Sequence, residues 1–162
     1  MPAILSPNYN DQESHSTGDK LKSVINSQHL ARQTAVQALY QYSLTRQSPS
    51  EIEGSFIFNK KLSGKYHGFF QHLVRGIAPH TENIDKLFDQ HLDRAKDQLD
   101  LVTLAVLRIG VFELAHQPDT PMKVIINEAI DLAKEFGADQ GYRYINGVLD
   151  KVAREVRGNQ QA

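Results

Sequence analysis

Beyond residue 26 the apolar positions recur at steps of three and four, the period that puts side chains on one face of an α-helix. In residues 27–47 they are Leu30, Ala31, Ala35, Ala38, Leu39 and Tyr42, and Asn26 or Ser27 is placed to cap that helix. Ser48, Pro49 and Glu51 read as the cap, first residue and acidic third position of a short second helix, through about residue 58. Residues 60–64 read as a loop. Residues 65–78 carry Phe69, Phe70, Leu73, Val74 and Ile77 at helical spacing, with Pro79 just beyond. Thr81 is placed to cap a helix through about residue 92, with Ile84, Leu87, Phe88 and His91 inward.

Residues 101–116 differ in kind. Ten of the fourteen residues from 101 to 114 are apolar, on almost every side, which marks the buried central helix of a bundle. Gln117, Pro118 and Asp119 break it. Thr120 and Pro121 start the next helix, with Met122, Ile125, Ile126, Ala129, Ala133 and Phe136 inward and Gly137 at its C-terminal end. Asp139 is placed to cap a last helix with the stripe Tyr142, Ile145, Leu149, Val152 and Val156. That stripe runs through Asn146-Gly147, so Gly147 reads as a point of close helix approach, near Gly110, rather than as a turn. No stretch alternates long enough to argue for a strand. An all-α bundle of about seven helices is expected. Residues 1–26, rich in Ser, Asn, Asp and Pro, read as a flexible extension that cannot bury enough surface to offset its ordering entropy. Residues 27–158 read as the folded domain.

Composition narrows the chemistry. A chain of 162 residues is one ordinary domain. The absence of cysteine excludes disulfides, thiolate catalysis and iron–sulfur clusters. The longest nearly apolar stretch, 14 residues, falls short of the roughly 20 that a membrane span needs. The first thirty residues lack a continuous apolar core, so no secretory signal is expected and the cytoplasm is the expected compartment. The seven histidines include no HExxH pair, and no GxxxxGK[ST], GxGxxG or GxSxG motif is present. No metal, cofactor or catalytic site is expected.

Charge is nearly balanced, 18 basic against 19 acidic residues, but it is uneven along the chain. Residues 31–78 hold six basic and two acidic side chains, and residues 79–100 hold three and six. Asp85, Asp89, Asp93 and Asp97 recur every four residues, with Asp100 beyond. On one helix they would form a solvated face, a surface for a basic partner, or half of a magnesium site. Lys20, Lys22, His29 and Arg32 gather near the start of the first helix, and Arg143 stands between Tyr142 and Tyr144. Cations beside aromatic rings can hold phosphates and stack on unpaired bases.

From ARQTAVQALYQ (residues 31–41) the chain resembles the NusB family of bacterial transcription antitermination factors. The likeness continues through AVLRIGVFEL (105–114) and is most specific at VIINEAIDLAKEF followed by YINGVLD (124–136 and 144–150). It spans about residues 28–157. Certain ribosomal-RNA cytosine methyltransferases carry a similar domain, but this chain has neither their second domain nor a cysteine nucleophile. The resemblance implies a bundle of two packed subbundles without catalysis. It implies pairing with ribosomal protein S10 (NusE), binding of boxA RNA, and entry into an RNA polymerase antitermination complex acting on ribosomal RNA operons. The alternative is a protein-interaction module that binds S10 with little RNA selectivity.

The resemblance also distributes roles. Arg32 matches the last arginine of the family's arginine-rich motif and is expected on RNA, with His29 in the same motif. Gln28 and Leu30 replace basic residues there. Arg143, Tyr144 and Asn146 match an RNA-facing edge of the last helix, although a helix-to-helix hydrogen bond is an equal reading for Asn146. Tyr40, Leu44, Asp97 and Asp100 are expected to face S10, and Thr103 stands where family members tend to be acidic. Arg108, Asn127 and Glu128 belong to the motifs that carry the resemblance and read either as ligand contacts or as a buried network tying the central helices together, in which Glu128 is the candidate carboxylate for Arg108.

Overall fold

Every residue from 103 to 114 is buried, and these residues form the middle of one helix around which the others pack. The computed structural model describes residues 17–60, 64–137 and 141–158. Seven α-helices are present among them: α1 (Thr17–Leu44), α2 (Pro49–Lys60), α3 (Gly64–Ile77), α4 (Thr81–Lys86), α5 (Leu101–His116), α6 (Met122–Glu135) and α7 (Gly141–Arg157). α1, α2 and α3 pack together as one subbundle, α5, α6 and α7 as another, and α1 lies against α5 to join them. Phe70, Leu73, Ile77, Phe88, Leu107, Ile109, Leu132 and Ile145 fill the shared core.

The helix ends follow from local chemistry. The Ser48 hydroxyl accepts the Glu51 N–H at 3.1 Å and starts α2. Asp100 accepts the Thr103 N–H at 2.8 Å and the Thr103 hydroxyl at 2.7 Å, which fixes the start of α5. Gly137 closes α6 with φ of 88°, a conformation that glycine adopts without steric cost. Arg157 at the end of α7 donates to the carbonyls of Leu114 (3.0 Å), Gln117 (2.7 Å) and Thr120 (2.5 Å). It thereby satisfies the C-terminal end of α5 and the turn after it.

Three elements differ from the sequence reading. α1 begins at Thr17, so residues 17–26 of the expected extension are helical; residues 1–16 lie outside the described residues. Neither proline nor glycine interrupts residues 19–44, and Asp19 in the first turn complements the helix dipole. The helix expected through residue 92 stops at Lys86 and gives way to short 3₁₀ turns at Asp89–His91 and Lys96–Gln98. The chain turns back on itself here, so that buried Asp85 receives Lys96 Nζ at 2.8 Å, eleven residues on. A continuous helix would hold those positions roughly 16 Å apart along its axis. Finally, Gly110 does make a close approach to α7, where a Cβ would lie 2.8 Å from Leu149 Cδ1. Gly147 does not: nothing lies within 4 Å of its Cβ position. The expected cap at Asp139 lies outside the described residues.

Candidate RNA and partner faces

The face of α1 expected to meet RNA is tied into the protein. Arg32 is 3% exposed, and its Nε and Nη2 donate to the two oxygens of Glu113 on α5 at 2.9 and 2.7 Å. Its guanidinium lies 5.1 Å from the centre of the Phe69 ring, and Nη1 is 3.5 Å from Glu128. One turn earlier, His29 places Nδ1 2.7 Å from Glu128 and Nε2 2.7 Å from Glu135, both on α6. Gln33 donates to the other oxygen of Glu135. Burial works against a charge on His29, but the two carboxylates outweigh it and hold its pKa above the ordinary value. The same balance, burial opposed by Glu113, raises Arg32. Arg32 and His29, held by three carboxylates, thus pin α1 to α5 and α6. Glu128 serves this cluster and not Arg108, as the sequence suggested. Arg108 pairs instead with Asp85, Nε at 2.9 Å and Nη2 at 2.8 Å. For Asp85 burial favours the neutral acid, yet Arg108 and Lys96 together hold its pKa below the ordinary value.

α7 presents the other residues assigned to RNA, and it splits them. Arg143 is exposed and donates to Tyr142 Oη at 3.3 Å. Lys134 Nζ approaches the Tyr142 ring from α6, 4.7 Å from its centre, so one tyrosine carries two cations. Tyr144, two residues on, points to another side of the helix. There the Arg94 guanidinium lies 4.8 Å above its ring, and the Asp93 N–H donates to its hydroxyl at 3.3 Å. Asn146 is exposed and makes no side-chain hydrogen bond among the described residues, so the helix-to-helix bond is not formed. Arg143, Asn146 and the bare Gly147 share one exposed face. Lys134 and Arg94 were not singled out in the sequence. Each reaches its tyrosine from a different element, and no spacing along one helix signals that.

Of the residues assigned to the partner, Tyr40 and Leu44 line one groove, and Asp97 and Asp100 do not. Tyr40 and Leu44, 39% and 60% exposed, border an open groove of about 490 Å³ with Val36, Phe56, Val102 and Phe136. Phe136 belongs to the stripe read as core, and here part of that stripe is left facing out. Asp100 is exposed two residues before Val102, with its carboxylate on Thr103; Asp97 is exposed and forms no ion pair among the described residues. The aspartate stripe does not exist as a face: Asp85 is buried, Asp93 pairs with Arg94, and Asp100 caps α5. Among the described residues no group of three or more His, Asp or Glu side chains is placed to hold a metal ion. Nor is any helix there long and apolar enough to cross a membrane.

The family model for NusB matches residues 29–154, most of the chain. The protein belongs to the NusB family. Among its relatives, the transcription antitermination protein NusB of Nitrosococcus oceani is 44% identical over 135 residues, 83% of this chain and 90% of that one. NusB of Pasteurella multocida is 42% identical over 137 residues, 85% of this chain and 95% of the relative. Among solved structures, the fold is similar to a crystal structure of antitermination factors NusB and NusE in complex with dsRNA. That likeness has a TM-score of 0.74 and 26% identity, covering 81% of this chain and 98% of the other. T. maritima NusB gives a TM-score of 0.71 at 28% identity, covering 79% and 91%. The expected all-helical NusB-like architecture is therefore the one observed.

Proposed function

We propose that this NusB-family protein is a cytoplasmic, non-enzymatic transcription antitermination factor. It binds boxA RNA together with ribosomal protein S10 (NusE) and supports antitermination at ribosomal RNA operons within an RNA polymerase complex. The observation that carries this reading is the separation of two faces on a NusB fold. An apolar groove edged by Tyr40 and Leu44 fits a protein partner. The exposed Arg143, Asn146 and Gly147, with Tyr142 under two cations, fit single-stranded RNA. Residues 27–158 form the binding domain in this reading, and 1–26 an extension to it.

A specific observation favours the second reading, an S10-binding module with little RNA selectivity. His29 and Arg32 are both committed to carboxylates, so the α1 face offers RNA few free cations. The two readings part in one titration. Fluorescence anisotropy of labelled boxA RNA, against a scrambled RNA at two salt concentrations, is measured with and without S10. Antitermination predicts that S10 tightens binding selectively to boxA. Binding of S10 with equal affinity for both RNAs supports the module instead.

A further inference from the structure

On the far side of the last turn of α1 from the apolar groove lies a second cavity, of about 460 Å³. Thr45, Arg46, Thr81, Leu101, Leu104 and Arg108 are among the residues that line it, and no acidic residue does. Its charge is out of balance. Asp85, the one carboxylate that Arg108 pairs with among the described residues, also answers Lys96, whose side chain is 39% exposed, and Asp85 itself does not line the cavity. Arg108 is 9% exposed and has spent Nε and Nη2 on Asp85, which leaves Nη1 for another acceptor. Arg46 is exposed at the rim and forms no ion pair among the described residues. Two guanidinium groups and the Thr81 hydroxyl thus line one cavity, a donor set suited to an oxyanion, while the Thr45 hydroxyl at its edge donates to Gln47.

We infer that this cavity receives an acidic side chain of the protein that occupies the adjoining groove. Continuity points to a protein rather than to RNA. The groove and the cavity share one ridge, Gln41 to Gln47, whose ends are joined by a 2.9 Å side-chain hydrogen bond. Both include the first turn of α5, Val102 in one and Leu101 in the other. None of the cavity's lining residues belongs to α7, which carries Arg143 and Asn146. A partner seated on Tyr40 and Leu44 can therefore place a carboxylate between Arg46 and Arg108. The apolar groove supplies contact area, and the cavity fixes register and orientation. The inference rests on the S10 reading.

The test is calorimetric titration of the full chain with S10, using wild type, Arg46→Glu and Leu44→Asp. Arg46 is exposed, so its substitution spares the fold, which circular dichroism checks. Arg46→Glu is expected to weaken S10 binding about tenfold or more. One Asp→Asn or Glu→Gln substitution in S10 is expected to weaken binding to wild type and not to Arg46→Glu. If wild type binds S10 and Leu44→Asp weakens it while Arg46→Glu does not, the cavity inference fails and the S10 reading stands. If wild type does not bind S10, both fail. Weaker boxA RNA binding by Arg46→Glu without S10, at unchanged S10 affinity, would assign the cavity to RNA phosphate and overturn the inference.

Discussion

Arg32 and Glu113 meet side-on inside the bundle, two hydrogen bonds of 2.9 and 2.7 Å joining a 3% exposed arginine to a 1% exposed glutamate. Such a pair adds little over an apolar pair of equal volume, but loss of one member strands the other charge in the interior. Arg32→Ala is expected to lower the free energy of unfolding by about 3–5 kcal/mol, read by urea denaturation. Native stability combined with a salt slope of RNA binding reduced by about one unit would place Arg32 on a phosphate instead.

His29 couples stability to pH. Both of its nitrogens rest on carboxylates, an arrangement in which the imidazolium donates twice. Burial opposes that charge, but Glu128 and Glu135 raise the folded pKa above the ordinary value near 6.5. A raised folded pKa means that the contribution is complete below the unfolded value and is lost as pH rises through the folded one. The difference in Tm between wild type and His29→Gln is expected to be largest near pH 6 and to shrink toward pH 9. A difference that does not vary over this range would mean that His29 is neutral in the fold.

Much of the fold was legible because its signals are local. Ser48 sits where a cap belongs, Gly137 takes the left-handed turn, and the all-round apolar run of residues 103–114 became the central helix, whose cap, Asp100, reads in the sequence only as part of an acidic surface. What escaped the sequence was decided across elements. Four-residue spacing made Asp85, Asp89, Asp93 and Asp97 look like one face, but Asp85 pairs inward with Arg108 from α5, and the helix ends at Lys86, before the other three. The position of Arg32 in a basic motif suggested phosphate, yet its carboxylate comes from a residue 81 positions away. Tyr40 and Leu44 were singled out through the family resemblance, and both stand exposed at the border of the groove. The rest of their groove, Val102 and Phe136, reads as core in any single-helix pattern.

Leu44 gives the cleanest probe of the groove. It is 60% exposed, so a polar replacement leaves the core intact. In a groove of this apolar character, a carboxylate would have to be desolvated for the partner to seat. Leu44→Asp is expected to keep the wild-type Tm within about 2 °C and to weaken S10 binding by at least about tenfold, mainly through a faster off-rate. Unchanged S10 affinity would move the partner to another face.

Gly147 separates folding from binding. It lies inside α7 with nothing within 4 Å of its Cβ position and no positive φ. A glycine in a helix interior costs about 0.5–1 kcal/mol relative to alanine, and packing within the protein supplies no reason to keep it here. The Arg143 and Asn146 side chains flank it on the same exposed face, so the space over Gly147 is where an RNA backbone or base could approach closest. Gly147→Ala is expected to raise the free energy of unfolding by roughly 0.5–1 kcal/mol while boxA affinity falls. Denaturation and anisotropy on the same sample check both halves. A stabilised variant with full RNA affinity would mean that no ligand comes within a methyl group of α7 at this point, and the RNA face would have to be sought around Tyr144 and Arg94.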